Sequence, residues 1–214
     1  MKIKRKNILN FSILLLSLIT VLLGIWKGYD KGQPYLSLYL FTRQTVLIVF
    51  ISLLLNFINS MKTNSSSKIT KILTIWHFIC LINSFMMFVM YLKVANPEEY
   101  KKMTPFQYWV SFLEHKILPI VFIIYYFFLD KTALKLKQFY LGLFYPFHYF
   151  LIALIVGKHV KKYPYGFLNL INTNMLKFAL YITGITLFIV IMSLLSIYLK
   201  NKILNKKVPS KGDL

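Results

Sequence analysis

The chain has 214 residues, 57% of them hydrophobic and 17% aromatic, with a mean hydropathy of +0.61, which excludes a water-soluble globule. Its net charge of +20 would suit nucleic acid, but the Lys and Arg residues flank the apolar runs instead of forming one basic domain, so no nucleic-acid partner is expected. Six runs reach the length of about 20 apolar residues needed to cross a bilayer. The expected architecture is all-α: a polytopic membrane protein whose residues 1–214 form a single bundle of six transmembrane helices.

The first span, about 8–26, follows Lys2, Lys4, Arg5 and Lys6 and resembles a signal peptide, but it ends Leu22-Leu23-Gly24-Ile25-Trp26 without a small-x-small cleavage site. A retained helix is expected. The second span, 36–58, carries Thr42, Thr45, Val49, Ser52, Asn56 and Asn59 at i+3/i+4 spacing, a mostly polar stripe that should face into the bundle. Its hydroxyls are expected to bond their own i−4 carbonyls and its Asn residues to join helices.

The third span, 72–92, holds the lone Cys80 and, near its start, His77 beside Trp76, where an interfacial role is expected. The fourth, 107–129, contains Glu114-His115-Lys116, ionisable groups whose burial in a span is costly enough to mark function. The fifth, 138–157, carries His148 shortly after Pro146. A packed, hydrogen-bonded ring is expected there, with a second polar centre as the alternative. The sixth span is 177–199. Breaker-rich runs separate them: Lys31-Gly32-Gln33-Pro34, Thr63-Asn64-Ser65-Ser66-Ser67 and Asn96-Pro97-Glu98-Glu99.

With the N-terminus inside, the cytoplasmic segments hold fifteen Lys and Arg and the outer loops eight, so both termini are predicted cytoplasmic in a multi-pass protein of the cell membrane. The basic inner rim should attract anionic headgroups. No Cys/His cluster has metal-ligand spacing, and neither a metal nor a cofactor is expected.

In this topology Thr42 lies about six residues, roughly 9 Å, below the outer end of its span, and His115 about eight residues, roughly 12 Å, below the end of its own. The two can share a level. Glu114 and Lys116 are each about 100° from His115 around the axis, so neither is placed to orient its imidazole. Asp130 is about 22 Å farther along the helix, at the opposite surface. A two-residue arrangement is therefore expected, not a triad. Arg43 is a natural partner for Glu114, and Lys116 can extend its stem to the interface.

Three landmarks resemble the family of androgen-induced and androgen-dependent integral membrane proteins, and more closely its bacterial six-helix relatives. They are Phe41-Thr42 opening the second span; His115-Lys116-Ile117-Leu118-Pro119 leading to Phe128-Leu129-Asp130-Lys131; and the loop Tyr163-Pro164-Tyr165-Gly166-Phe167-Leu168, preceded by Tyr145-Pro146-Phe147. The resemblance implies a hydrolase of lipid (fatty acyl) esters embedded among membrane lipids, with Thr42 as nucleophile and His115 as base. Thr45 offers a rival hydroxyl. Oxyanion donors are expected from Gln44, Arg43 or Lys116, and Tyr163 and Tyr165 would close over the pocket. Two other readings compete: a transporter or proton relay through Arg43, Glu114, His115, Lys116 and His148, and a non-catalytic membrane scaffold.

Overall fold

The computed structural model describes residues 2–32, 34, 38–61, 66–94, 101–169 and 173–205, with the side chains of 2–6, 90, 93 and 94 left aside. The chain is all-helical, and among the described residues there is no strand. Six helices carry it: α1 (Lys2–Asp30), α2 (Phe41–Met61), α3 (Ser67–Val94), α4 (Pro105–Leu129), α5 (Leu141–Val160) and α6 (Met175–Asn205). Each is long and apolar enough to cross a membrane. Residues 36–37 of the second predicted span, and the breaker runs at 63–65 and 96–99, lie outside the described residues.

Several helix ends differ from the sequence expectation, for local reasons. α2 is described from Phe41, and just before it the Leu38 carbonyl accepts from Gln44 Nε2 (3.2 Å) and the Tyr39 carbonyl from the Tyr149 hydroxyl (3.1 Å). α4 starts at Pro105, two residues early, because Thr104 caps it: extended at φ −63°, ψ 156°, its hydroxyl accepts from the Gln107 N–H, and proline at the first position gives up no helical hydrogen bond. α5 runs on to Val160, where Lys161 adopts the left-handed conformation (φ 52°, ψ 27°) and ends the helix.

α3 is the central and most buried helix, packing against α2, α4, α5 and α6, while α1 covers α2 and α4. Its residues Phe78, Cys80, Leu81 and Ile82 are fully enclosed. The predicted stripe of α2 does face inward: Thr45, Val49 and Ser52 are buried, and Leu47, Ile51, Leu55 and Ile58 are exposed on the opposite side. An apolar outer face of this kind suits lipid rather than water. The hydroxyl expectation holds elsewhere but not here. Thr20, Thr74 and Ser84 donate to their i−4 carbonyls, whereas Thr45 Oγ1 meets no partner among the described residues.

Two clusters of side chains tie the helix ends together. At one rim, Gln107 Nε2 at the start of α4 donates to Asp30 Oδ2 at the end of α1 (2.6 Å), and the Tyr39 hydroxyl before α2 donates to Ala153 O in α5 (2.6 Å). At the other, Lys200 of α6 donates to the carbonyls of Tyr126 and Asp130, and Asn201 donates to Leu134 O (3.1 Å).

α4 departs from α-helical winding twice, in π turns at Leu113–Ile117 and Tyr125–Leu129. The first has an evident cause. Pro119 has no N–H to offer, and its ring would crowd the carbonyl four residues back, that of His115. Widening the turn so that the Leu118 N–H bonds Leu113 O moves the backbone past the obstruction. His115 thus sits in a locally unwound turn.

Candidate functional site

Thr42 lies in the first turn of α2, whereas His115 lies ten residues into α4, about 15 Å of helix. They meet because α4 begins that much farther out, and not because the two spans start at matching heights. The Thr42 hydroxyl and His115 Nε2 are 3.2 Å apart.

The other face of the imidazole sets the direction of that bond. His115 Nδ1 is 2.8 Å from the Ser111 carbonyl, one turn back on the same helix, and a carbonyl can only accept. Nδ1 therefore carries the proton, and a neutral ring then has its lone pair on Nε2, facing the Thr42 hydroxyl. The ring is held flat against Tyr91 of α3, with centroids 4.6 Å apart and planes at 25°. Neither Ser111 nor Tyr91 figured in the sequence reading. A backbone acceptor leaves no trace in residue identity, and Tyr91 is one aromatic among many.

Tyr165, from the loop between α5 and α6, lies within hydrogen-bonding reach of the hydroxyls of Thr42 and Tyr149 and of the Phe41 backbone. Burial pushes its phenol up to about 12 against the opposing effect of those hydrogen bonds, so it remains a donor throughout the physiological range.

Of the expected oxyanion donors, none among Gln44, Arg43 and Lys116 is free to serve at Thr42. The Gln44 amide is used at both ends, donating to Leu38 O and accepting from the Tyr145 hydroxyl (2.7 Å). Arg43 is bonded to Glu114. The Lys116 ammonium lies over the Tyr91 and Phe112 rings, 5.5 and 5.2 Å from their centroids, where the ring faces attract it. Thr45 is wholly buried and lines no cavity with His115, which removes it as a rival hydroxyl. His148 is exposed, bonds the Phe144 carbonyl (2.6 Å) and lines the large cavity described below. It is a hydrogen-bonded ring, as expected, although on the cavity wall and not in the core.

The pairing of Arg43 with Glu114 has a third member. Lys27, near the end of α1, reaches Glu114 Oε2 at 3.5 Å, and Lys27, Arg43 and Glu114 are only 6%, 9% and 1% exposed. Lys27 lies just past residue 26, the predicted end of the first span. It belongs to α1, which continues to Asp30 and carries it inward. Gly24, one turn earlier, makes the room: a Cβ there would overlap the Arg43 guanidinium and lie 2.8 Å from Glu114 Oε1. Gly24→Ala is accordingly expected to destabilise the protein by about 1–3 kcal/mol, the usual cost of overpacking, read as a lower melting temperature in detergent.

At the other rim, His77 is not interfacial. It is 2% exposed, its Nδ1 is 2.7 Å from Asp130 Oδ2, and its ring packs edge-on to Phe122 and Tyr125. Asp130, expected at the surface, is buried too. Burial works to raise its carboxyl, but the bonds from His77 and from the N–H and hydroxyl of Thr132 outweigh this and hold it below the usual carboxylate range. A carboxylate so depressed stabilises the fold above the unfolded value of about 4 and stops doing so as pH falls through its own lower value. Wild-type protein should therefore lose a few °C more in melting temperature than Asp130→Asn on acidification from about pH 6 to below 4.

Two cavities meet at Thr42 and His115. The larger, about 880 Å³, is walled mainly by apolar residues of α3, α5, α6 and the 163–168 loop, including Met87, Tyr149, Phe167 and Ile185. Its lining also includes Tyr140, Phe144 and Phe147, each more than half exposed, so this wall opens toward the lipid side. The smaller, about 300 Å³, is the more polar of the two, with Lys27, Lys31, Arg43, Glu114, Lys162 and Tyr163 around it. Tyr163 packs flat over Gly157 of α5, where any side chain would displace its ring. Among the described residues no three His, Cys, Asp or Glu side chains converge to hold a metal.

No protein-family model, curated protein or solved structure matches the chain. The fold itself defines its class, a multi-pass α-helical membrane protein.

Proposed function

We propose that this protein is a membrane-embedded hydrolase of fatty acyl esters, with Thr42 as nucleophile and His115 as general base. The observation that carries the reading is the oriented chain from the Ser111 carbonyl through His115 to the Thr42 hydroxyl, placed where an apolar cavity meets a polar one. A threonine hydroxyl is a weak nucleophile until a base takes its proton, and an imidazole with Nδ1–H tied to a carbonyl presents the lone pair that does so. The resemblance to the androgen-induced and androgen-dependent membrane protein family, on Thr42, His115-to-Pro119 and the 163–168 loop, points the same way.

In the proposed reaction Thr42 Oγ1 attacks the ester carbonyl as its proton passes to His115 Nε2, and the carbonyl electrons form an oxyanion. The Tyr165 hydroxyl, on the wall of the same cavity as Thr42, is the donor assigned to that charge. Collapse expels the alcohol, which takes the proton from His115 and leaves an acyl-threonine. Water, deprotonated by the same imidazole, then releases the fatty acid and restores the hydroxyl. The acyl chain occupies the 880 Å³ cavity and arrives through the wall at Phe144 and Phe147.

A relay for transport would need its ionisable groups in series. Arg43 and Glu114 bond each other, while Lys116 and His148 are engaged by aromatic rings and by the Phe144 carbonyl. The test is direct: purified protein in detergent is given a panel of fatty acyl esters and a serine/threonine-directed fluorophosphonate. Release of acid and label on Thr42 support the hydrolase; solute uptake in liposomes without either would replace it with a transporter.

A further inference from the structure

The smaller cavity has a charge imbalance that ester hydrolysis alone does not use. Four cationic side chains, Lys27, Lys31, Arg43 and Lys162, line it against the single carboxylate of Glu114. Both Glu114 oxygens are taken, one by Arg43 and the other by Lys27, and these three groups are buried. Lys31 and Lys162 are exposed and form no ion pair among the described residues. Like charges gathered around one space repel. Such an arrangement is relieved by an anion brought from outside.

The position of this cationic space narrows what the anion is attached to. It shares Lys27, Lys31, Leu40, Thr42 and His115 with the apolar cavity, so the two adjoin at the same hydroxyl. A ligand spanning both must be apolar at one end, carry its reactive carbonyl in the middle, and end in an anionic group.

We infer that the 300 Å³ cavity is a headgroup site for phosphate, and that the substrate is a single-chain acyl lipid whose ester links the fatty acid to a phosphate-bearing alcohol. This rests on the ester-hydrolase reading for the order of its parts, while the headgroup site itself stands on charge and shape. Phosphate suits the site better than a carboxylate because it offers up to two charges and at least three acceptor oxygens to several separated donors. A zwitterionic headgroup would bring its own cation into an already positive space. Hydrolysis balances as acyl ester plus water giving fatty acid plus phospho-alcohol: the Thr42 oxygen bonds the acyl carbon, the bond to the glycerol-type oxygen breaks, and that oxygen takes the proton held by His115.

The test measures binding and turnover separately on the full-length protein in detergent micelles. Binding is read on Thr42→Ala, which cannot form the acyl-threonine, with 1-acylglycerol 3-phosphate, the neutral 1-acylglycerol of the same chain, and inorganic phosphate alone. The phosphate-bearing lipid should bind at least about tenfold more tightly than the neutral one, since hydrogen bonds to charged groups are among the stronger polar contacts. Adding Lys31→Gln and Lys162→Gln, both at exposed positions, should remove that preference, bringing the affinity for the phosphate-bearing lipid down to that for the neutral one measured on the same variant. Equal affinity for the two lipids, or a preference that survives both substitutions, overturns the inference. Free phosphate binding as tightly as the lipid also overturns it, because the site would then serve a soluble anion. Wild-type turnover keeps the two proposals apart. Tight, lysine-dependent binding of the phospholipid without hydrolysis sinks the hydrolase and keeps the headgroup site, while equal hydrolysis of both lipids keeps the hydrolase and sinks the headgroup site.

Discussion

His115→Ala is expected to lower kcat/KM for acyl-ester hydrolysis, and the rate of fluorophosphonate labelling, by about 10²- to 10⁴-fold, the usual contribution of a positioned general base. That corresponds to about 3–5 kcal/mol of lost transition-state stabilisation. Thr42→Ala should abolish labelling outright, because it removes the atom that forms the covalent bond. The variants should remain folded, since both side chains line cavities instead of filling the core, and an unchanged melting temperature in detergent would establish this. Tyr165→Phe supplies the contrast: it keeps the ring but removes the donor beside Thr42, so turnover should fall while substrate affinity is retained. If His115→Ala were labelled at the wild-type rate, the imidazole would not be activating the hydroxyl and the mechanism would fail.

The largest effect on stability is expected from Glu114→Ala. This carboxylate is the sole anion in contact with Arg43 and Lys27 among the described residues, and all three groups lie inside the helix bundle. Removing it leaves two buried cations facing each other. Breaking a buried ion pair from one side typically costs about 3–5 kcal/mol, mainly through the charge left behind. For a chain of this length that is a fall in melting temperature on the order of 10 °C. Replacing both Glu114 and Arg43 by Met should recover much of the loss, because the charge that had no counterpart is removed along with its former partner. A double variant no more stable than Glu114→Ala would mean that the site depends on the ionic contacts themselves.

How much of this was legible in the sequence differs from part to part, for physical reasons. The six helices were, because crossing hydrocarbon forces runs of apolar residues whose length is easily read. The inward face of α2 was legible for the same reason, since its polar residues recur at the helical period. Arg43 with Glu114 was suggested by the cost of burying either one alone. The meeting of Thr42 and His115 was anticipated from their depths below the span ends, although Thr104 starts α4 two residues before the predicted position.

Other features had no readable signal. Lys27 looks like an interfacial cation until Gly24 and Glu114 are seen beside it. His77 and Asp130 are 53 positions apart and each, taken alone, reads as a group near a membrane surface. The Ser111 carbonyl that orients His115 would be supplied by any residue at that position. Gln44, expected near the oxyanion, is turned away by Tyr145, 101 positions later, a partner no local pattern announces.

The wide turn at Leu113–Ile117 links the ionic cluster to the imidazole in a way that substitutions cannot probe. A π turn holds one residue more than regular winding requires, so the two halves of α4 are offset about their common axis. Deleting a single residue from 113–117 would let the segment rewind to regular α winding with both halves keeping their faces, and would bring the Pro119 ring back against the carbonyl four residues before it. A shortened chain of 213 residues that still folds would therefore separate the role of the wide turn at His115 from that of the helix faces on either side of it.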